Sequence, residues 1–294
     1  MFSEEIKEAL LSQWAKGRNL DSRLEYYHDN FERWINQIPK EYRELILQLL
    51  KELHYFTRSE ANRILKELHS ELIKTYGISD ENTIYTFIKS KDGETNSSID
   101  YWTEYKNINN INRHLCFENI NAIEKDKWQF IENIVFIDDF SGTGQSIKKE
   151  LMKHLDFLSG KTVFIIVVSL MNNSKSRMER FGDCKGFKVI WLYGECREKA
   201  FKLNIFENNQ EASAKYNILA NQIGIFEHLG RDNTQALVAF YNNTPNNTLG
   251  FVHCKSKKYF PIFPRRIDKR PSWQSISKED EQRKKANYNN LSSD

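Results

Sequence analysis

The stretch Asn133-Ile134-Val135-Phe136-Ile137-Asp138-Asp139-Phe140-Ser141-Gly142-Thr143-Gly144-Gln145-Ser146-Ile147 decides how this chain is read. Ile134 to Ile137 are apolar without alternation, the pattern of a strand covered on both faces, as in a parallel sheet flanked by helices. Two carboxylates stand at its C-terminal end, and a loop of small residues leads into a helix. In an open α/β sheet, that end of a strand is where ligands bind. The backbone N–H groups of Ser141, Gly142, Thr143, Gly144, Gln145 and Ser146, with the Thr143 and Ser146 hydroxyls, suit an anion held at a helix N-terminus. Asp138 and Asp139 would repel that anion, so they face something neutral or cationic: a sugar diol, a metal ion, or both. Charged acceptors bonding hydroxyls contribute about 1.5–3 kcal/mol each, enough to select a ribose over a deoxy analogue.

Outward from this segment the chain alternates. Ile84 to Ile88, Val163 to Leu170, Phe187 to Tyr193 and Ala236 to Tyr241 read as further strands, and Ser146 to Leu158, Ser174 to Phe181 and Glu211 to Leu229 as crossover helices. The first eighty residues read as helix after helix. Leu24, Tyr27, Phe31 and Trp34 share a face of a helix over Leu20 to Ile38, and Tyr42, Leu45, Ile46, Leu49, Leu50 and Leu53 form a stripe behind Pro39. Thr57 and Glu60 have capping-box spacing ahead of Ala61, Ile64, Leu65, Leu68, Leu72 and Ile73, and Gly77 stands where a left-handed C-cap is wanted. The expected organisation is a helical region over 1–80, an α/β domain over 81–266, and a polar tail over 267–294 in which Pro271 and Trp273 are candidates to dock.

Composition bounds the class. Of 294 residues 39% are hydrophobic, 28% charged and 13% aromatic, with only 12 Gly and 5 Pro, which excludes collagen-like and wholly disordered chains. The longest apolar run, Thr162 to Met171, is far shorter than the ~20 residues of a spanning helix, and Met1-Phe2-Ser3-Glu4-Glu5 has the wrong charge for a secretory signal, so a cytoplasmic, membrane-free protein is expected. The four cysteines lie far apart with no CxxC spacing, and the seven histidines show no ligand spacing, so neither a disulfide framework nor a zinc site is expected. The net charge of +3 hides an asymmetry: Gly250 to Asp294 holds eleven Lys or Arg against five Asp or Glu. That basic segment, with Tyr259, Phe260 and Phe263 interleaved as stacking faces, is a candidate nucleic-acid contact; a solvated tail has the same composition.

Familiar phosphate loops do not fit. No Lys precedes Ser146, as a GxxxxGK[ST] loop requires, no third Gly completes a dinucleotide fingerprint, and the two acids are adjacent rather than separated by one residue as in a phosphoaspartyl hydrolase. Instead, Ile134 to Ser146 resembles the phosphoribosyl pyrophosphate (PRPP) loop of type I phosphoribosyltransferases: four apolar residues, two acids, three variable positions, Thr-Gly, one variable position and a small hydroxyl residue. The resemblance covers roughly Glu81 to Tyr241. It implies a parallel-sheet, Rossmann-like phosphoribosyltransferase domain, with Asp138 and Asp139 as catalytic residues binding the ribose hydroxyls and Ser141, Gly142, Thr143, Gly144, Gln145 and Ser146 wrapping the 5′-phosphate. It also implies Mg²⁺ as cofactor, by way of Asp138 or Asp139, and a homo-oligomer as one assembly. A pyrophosphate loop follows an upstream strand in that family; here Lys89 to Ser98 occupies that place, with Lys89, Ser97 and Ser98 as candidates, although a solvated surface loop explains the same residues. Some members carry an Asp where this chain has Gly142, used there as a base on a purine, so here proton removal comes from elsewhere or is unnecessary.

The helical N-terminal region, the turn Tyr241-Asn242-Asn243-Thr244-Pro245-Asn246-Asn247-Thr248-Leu249 and the segment Pro261 to Arg265 resemble phosphoribosyltransferase-like proteins of bacterial defence and conflict loci, some of them in operons with a reverse transcriptase. That resemblance implies an anti-phage effector, with a reverse transcriptase or other defence protein as candidate partner. Asn243, Asn246 and Asn247 either read a base or nucleotide acceptor or simply form the turn. Two functions follow as expectations: an enzyme that binds PRPP or a related ribose phosphate or nucleotide, and, as the alternative, a catalytically silent sensing module or nucleic-acid-associated subunit.

Overall fold

The computed structural model describes residues 2–89 and 97–266; Ser90 to Asn96 and the tail 267–294, including Pro271, Trp273 and Arg283 to Lys285, lie outside the described residues. Three helices, α1 (Phe2–Ala15), α2 (Ser22–Ile35) and α3 (Lys40–Lys51), lead to a short strand β1 (His54–Phe56) and the helix α4 (Arg58–Tyr76). Then come β2 (Thr83–Phe87), α5 (Ser97–Asn109), β3 (Asn133–Ser141), α6 (Gln145–Met152), α7 (Leu155–Leu158), β4 (Thr162–Met171), α8 (Asn172–Lys185), β5 (Lys188–Arg197), α9 (Asn209–Gln222), β6 (Val238–Phe240) and α10 (Gly250–His253). The helix boundaries have local causes. The Asp21 carboxylate accepts from the Arg23 and Leu24 amides, the Thr57 hydroxyl accepts from Glu60 N–H, and Gly77 takes the left-handed conformation at φ +60°.

Strands β2, β3, β4 and β5 form a wholly parallel sheet in that order, with Ile84 beside Ile134 and Asp138 beside Val167. Both faces are covered, which is why the strands read as unbroken apolar runs. One face packs Val135, Ile137, Phe164 and Ile166 against α4 and α5 through Leu65, Leu68, Tyr101 and Tyr105. The other packs Ile134, Phe136 and Ile165 against α6 and α8 through Ile147, Leu151, Met178 and Phe181.

The strand at Ala236 to Tyr241 does not join this sheet. Its central residues, Val238 to Phe240, pair in parallel with His54 to Phe56 as a separate two-stranded sheet. A three-residue strand between two helices has too few positions to show a period, so β1 was invisible as a pattern. Around this pair sits a third core in which α1 to α3 meet the C-terminal part of the chain. The Trp34 indole donates to the Tyr259 hydroxyl at 2.6 Å, which donates in turn to Phe251 O, and Phe263 lies between Trp14, Tyr27 and Tyr55. Tyr259 and Phe263 are therefore core residues, with no face for stacking on a base, while Phe260 is half-buried beneath Arg33. Aromatics interleaved with lysines suggested an exposed binding surface; the chain instead folds the rings inward and leaves Lys255, Lys257 and Lys258 at the rim. Among the described residues no helix is long and apolar enough to cross a membrane.

Candidate functional site

Strand β3 carries Asp138 and Asp139 to the sheet's C-terminal edge, still largely buried at 6% and 8% exposure. Each is locked by short bonds. Ser98 Oγ donates to Asp138 Oδ1 at 2.6 Å, the Asp139 N–H donates to the same oxygen at 2.9 Å, and the Phe140 N–H donates to Asp139 Oδ1 at 2.8 Å. Burial, and then the adjacent Asp139 carboxylate, push the Asp138 carboxyl well above the usual carboxylate range, against the pull of the Ser98 and backbone hydrogen bonds. Ionisation of Asp138 is thereby disfavoured in the free site, and a hydroxyl or cation that favours the ionised form works against that preference.

The loop after β3 is shaped by two close approaches. A Cβ on Gly142 would lie 2.3 Å from Asn247 Cγ, so only glycine lets the Asn247 side chain rest on the loop. Gly144 adopts φ +72°, and a Cβ there would stand 2.9 Å from Ser174 Oγ. The Ser141 hydroxyl is 2.6 Å from the Ser174 hydroxyl and buried, so Ser141 ties the loop to α8 rather than presenting a free hydroxyl. Arg177 Nη1 donates to Thr143 O at 2.8 Å from the same helix. Gly144 is the N-cap of α6 and offers no side-chain acceptor; the Gln145 N–H makes a long bond to Thr143 Oγ1 at 3.4 Å, and the other first-turn amides keep their capacity for an anion. They border a crevice of about 60 Å³ formed by the loop, Lys149, Arg231, Asp232, Asn246 and Asn247.

Beside it opens a cavity of about 490 Å³ that gathers most of the candidate residues: Lys89, Ser97, Ser98, Asp138, Asp139, Ser146, Asn246 and Asn247 all line it. Gly142, Thr143, Gly144 and Gln145 line the adjoining crevice. Asn243 is not among the lining residues; its Oδ1 accepts from the Thr244 and Arg266 amides and so closes the turn. Ser98 is in the cavity, but its hydroxyl is engaged with Asp138. Of the Lys89 to Ser98 segment, Ser90 to Asn96 fall outside the described residues.

Among the described residues lining the cavity, four cations were not among the candidates: Lys149, Lys153, Arg231 and Arg265. Lys149 lies three residues after Ser146 on α6, a spacing that puts both on one face and makes it legible beforehand. Lys153, one turn further, is paired with Glu150 at 2.7 Å. Arg231 and Arg265 arrive from distant segments, and nothing local marks them. Arg265 donates through Nη1 to Thr244 O at 2.9 Å. Thr244 is itself held from behind, its hydroxyl accepting from Arg23 Nη2 and donating to Phe263 O. Helix α2 thus braces the wall of the cavity.

The sequence model of the PRTase-CE family matches residues 31–265, well over half of the chain. Among curated proteins none matches. Among solved structures the chain is similar to the xanthine-guanine-hypoxanthine phosphoribosyltransferase of Helicobacter pylori, at 11% identity and TM-score 0.33 over 49% of this chain and 90% of that one. It is also similar to orotate phosphoribosyltransferase from Aeropyrum pernix, at 14% identity and TM-score 0.30 over 46% and 69% of the two chains. A hypothetical protein from Neisseria gonorrhoeae, solved with bound ppGpp, is similar at 13% identity and TM-score 0.32 over 55% and 98%.

Proposed function

The chain belongs to the PRTase-CE family, and on that premise we propose that it is a phosphoribosyltransferase-type enzyme that binds PRPP, or a closely related ribose phosphate, over Asp138, Asp139 and the loop from Ser141 to Ser146. The observation that carries this reading is a single cavity lined by two adjacent buried carboxylates and Ser146, and adjoined by the uncapped start of α6. In it the α6 amides and Lys149 hold the 5′-phosphate, Asp139 and the ionised form of Asp138 accept from the ring hydroxyls, and Lys89 with Ser97 takes the pyrophosphate side. The protein's work is positioning and electrostatic stabilisation of an oxocarbenium-like ring.

The donor set fits magnesium of a particular kind. Among the described residues no group of three or more His, Cys, Asp or Glu offers a complete cage, whereas one or two carboxylates completed by substrate phosphates is the usual magnesium site. Asp139, and Asp138 once ionised, would hold it; bound there, the ion neutralises charge on the pyrophosphate leaving group. A role as effector of bacterial anti-phage defence rests on the resemblance of the helical N-terminal region and of segments 241–249 and 261–265, and is tested by phage challenge of cells carrying the protein or its Asp138→Asn, Asp139→Asn double variant, which should not protect.

The direct test is thermal unfolding with and without PRPP and Mg²⁺. A ligand near 100 times its Kd stabilises by about 2.7 kcal/mol, a rise of roughly 2–4 °C or more, and the double variant should show none. Pyrophosphate release then separates an enzyme from a sensor that binds without turnover. No rise in either protein at millimolar ligand would end the PRPP reading.

A further inference from the structure

We propose that the acceptor of this site carries its own phosphate group, and that Arg265, with Arg231 beside it, reads that group. The proposal rests on the ribose-phosphate reading above and concerns the half of the cavity that reading leaves unassigned. In the transfer, the bond from C1′ to the pyrophosphate oxygen breaks and pyrophosphate leaves with the electron pair. A nitrogen or oxygen of the acceptor forms the new bond to C1′, and its proton passes to water. Leaving group and acceptor therefore occupy opposite faces of the ring. Lys89, just after β2, and Ser97, at the start of α5, reach the cavity and serve the leaving group; Ile88 and Phe140 line it beside the carboxylates, Lys149 and Lys153 come from α6 and its end, and a further wall comes from the C-terminal part of the chain, as Arg231, Pro245, Asn246, Asn247 and Arg265.

The chemistry of this wall is wrong for an uncharged base. Its described residues include no aromatic ring on which a base would stack, and Pro245 is their one apolar side chain; Phe140, the one aromatic ring among the cavity's described lining residues, lies on β3 next to Asp139 and is 8% exposed. In place of a stacking face stand two guanidinium groups and two carboxamides. Arg265 is half-buried, and its guanidinium makes one hydrogen bond among the described residues, to Thr244 O, out of five donors. Burial lowers its pKa while the charge of Asp139 pulls the other way, yet the two are not ion-paired. A part-buried cation without an ion-pair partner among the described residues is completed by an anion, held on the side of the guanidinium away from the Asp139 carboxylate. Guanidinium groups match phosphate oxygens in pairs, and the Arg23 to Thr244 brace fixes this one in advance. Arg231 borders both the phosphate crevice and the larger cavity, so it stands between the two phosphates of the assembled complex.

The test uses the full chain saturated with PRPP and Mg²⁺, unfolded by heat in the presence of AMP, GMP, CMP and UMP, of the matching nucleosides and free bases, and of 5′-phosphorylated and 5′-hydroxyl tetranucleotides. A further rise of about 2 °C or more with a phosphorylated compound and none with its unphosphorylated partner is expected, and the mononucleotide and tetranucleotide arms say whether the phosphate belongs to a free nucleotide or an oligonucleotide end. The increment should vanish in Arg265→Gln and return in part in Arg265→Lys. Equal increments with and without the phosphate, or none with any compound, would overturn the proposal, as would loss of the PRPP rise itself in a folded Arg265→Gln, which would assign the residue to PRPP. Absence of the PRPP rise in the parent protein is a separate result, and defeats the site reading rather than the acceptor class.

Discussion

At Asp138 the chain buries a carboxyl group that three features oppose in its charged form: low exposure, a neighbouring carboxylate, and no ion pair among the described residues. An acid whose pKa is raised by folding contributes stability that is complete below its unfolded pKa, near 4, and is lost as pH rises through its folded pKa. Asp138→Asn keeps the shape and the acceptor oxygen for Ser98, and removes the titration. It should therefore melt above the parent protein at pH 8, by a margin that shrinks to nothing near pH 4, while failing to bind PRPP. The same linkage predicts that ligand binding in the parent releases a proton, measurable by calorimetry in buffers of different ionisation enthalpy, and that affinity rises with pH. The glycines make a second prediction at this scale. Gly144→Ala forces a side chain to φ +72° and into Ser174, and should cost at least about 1 kcal/mol of stability in a denaturant titration. Gly142→Ala meets only the end of the Asn247 side chain, so Asn247→Ala should rescue its loss of PRPP binding.

Among the elements, β1 has the least sequence signal and one of the most consequential positions. His54, at its start, bridges the Glu195 carboxylate of β5 at 2.9 Å and the Glu60 carboxylate of α4 at 3.2 Å, so one imidazole joins the small sheet to the large one. Burial disfavours its charge, but the two hydrogen-bonded carboxylates outweigh this and raise its pKa; Glu60, partnered by His54 and Lys16, is pushed down to about 2. The stabilisation from a raised histidine is full below its unfolded value near 6.5 and is lost as pH climbs through the folded value. The melting temperature should fall across that range, and His54→Gln should flatten the curve, with a lower plateau on the acid side. Elements built from local information were readable in advance. The β3 strand, its loop and α6 are contiguous, so apolar run, acids, glycines and hydroxyls announced one another. The Thr57 cap and Gly77 stop did the same for α4. Pairing of His54 to Phe56 with Val238 to Phe240 is a contact across most of the chain, and so is delivery of Arg231 and Arg265 to the cavity. No periodicity within a window carries such contacts. Tyr259 and Phe263 show the same gap: their composition is that of a basic surface segment, and only the partners Trp14, Tyr27 and Trp34 make them core.

For the whole molecule, these long-range contacts mean that the helical N-terminal segment and the far C-terminal part of the PRTase-CE match are one piece of packing. Trp34 bonds Tyr259, Tyr27 and Tyr55 pack on Phe263, β1 completes β6, and Arg23 reaches across to Thr244 and Pro264. A fragment of residues 81–294 would expose the apolar faces of α9, α10 and β6 that α1 to α3 cover, and should fail to show a cooperative thermal transition; a fragment that melts cooperatively would refute this. Finer damage to the same contact should reach the site. Arg23 is largely buried and its guanidinium is bonded to Thr244 and Pro264, so Arg23→Leu removes the brace behind Arg265 without touching the cavity lining. Phe263→Ala in the same core should cost about 3–5 kcal/mol. If α2 only stabilises, both variants will lose melting temperature and bind their ligands normally once folded. If α2 positions the wall, Arg23→Leu at a temperature where it is fully folded will bind PRPP as the parent does but lose affinity for the second, phosphate-bearing ligand. The split between the two affinities, measured on one protein, distinguishes a brace from a mere strut.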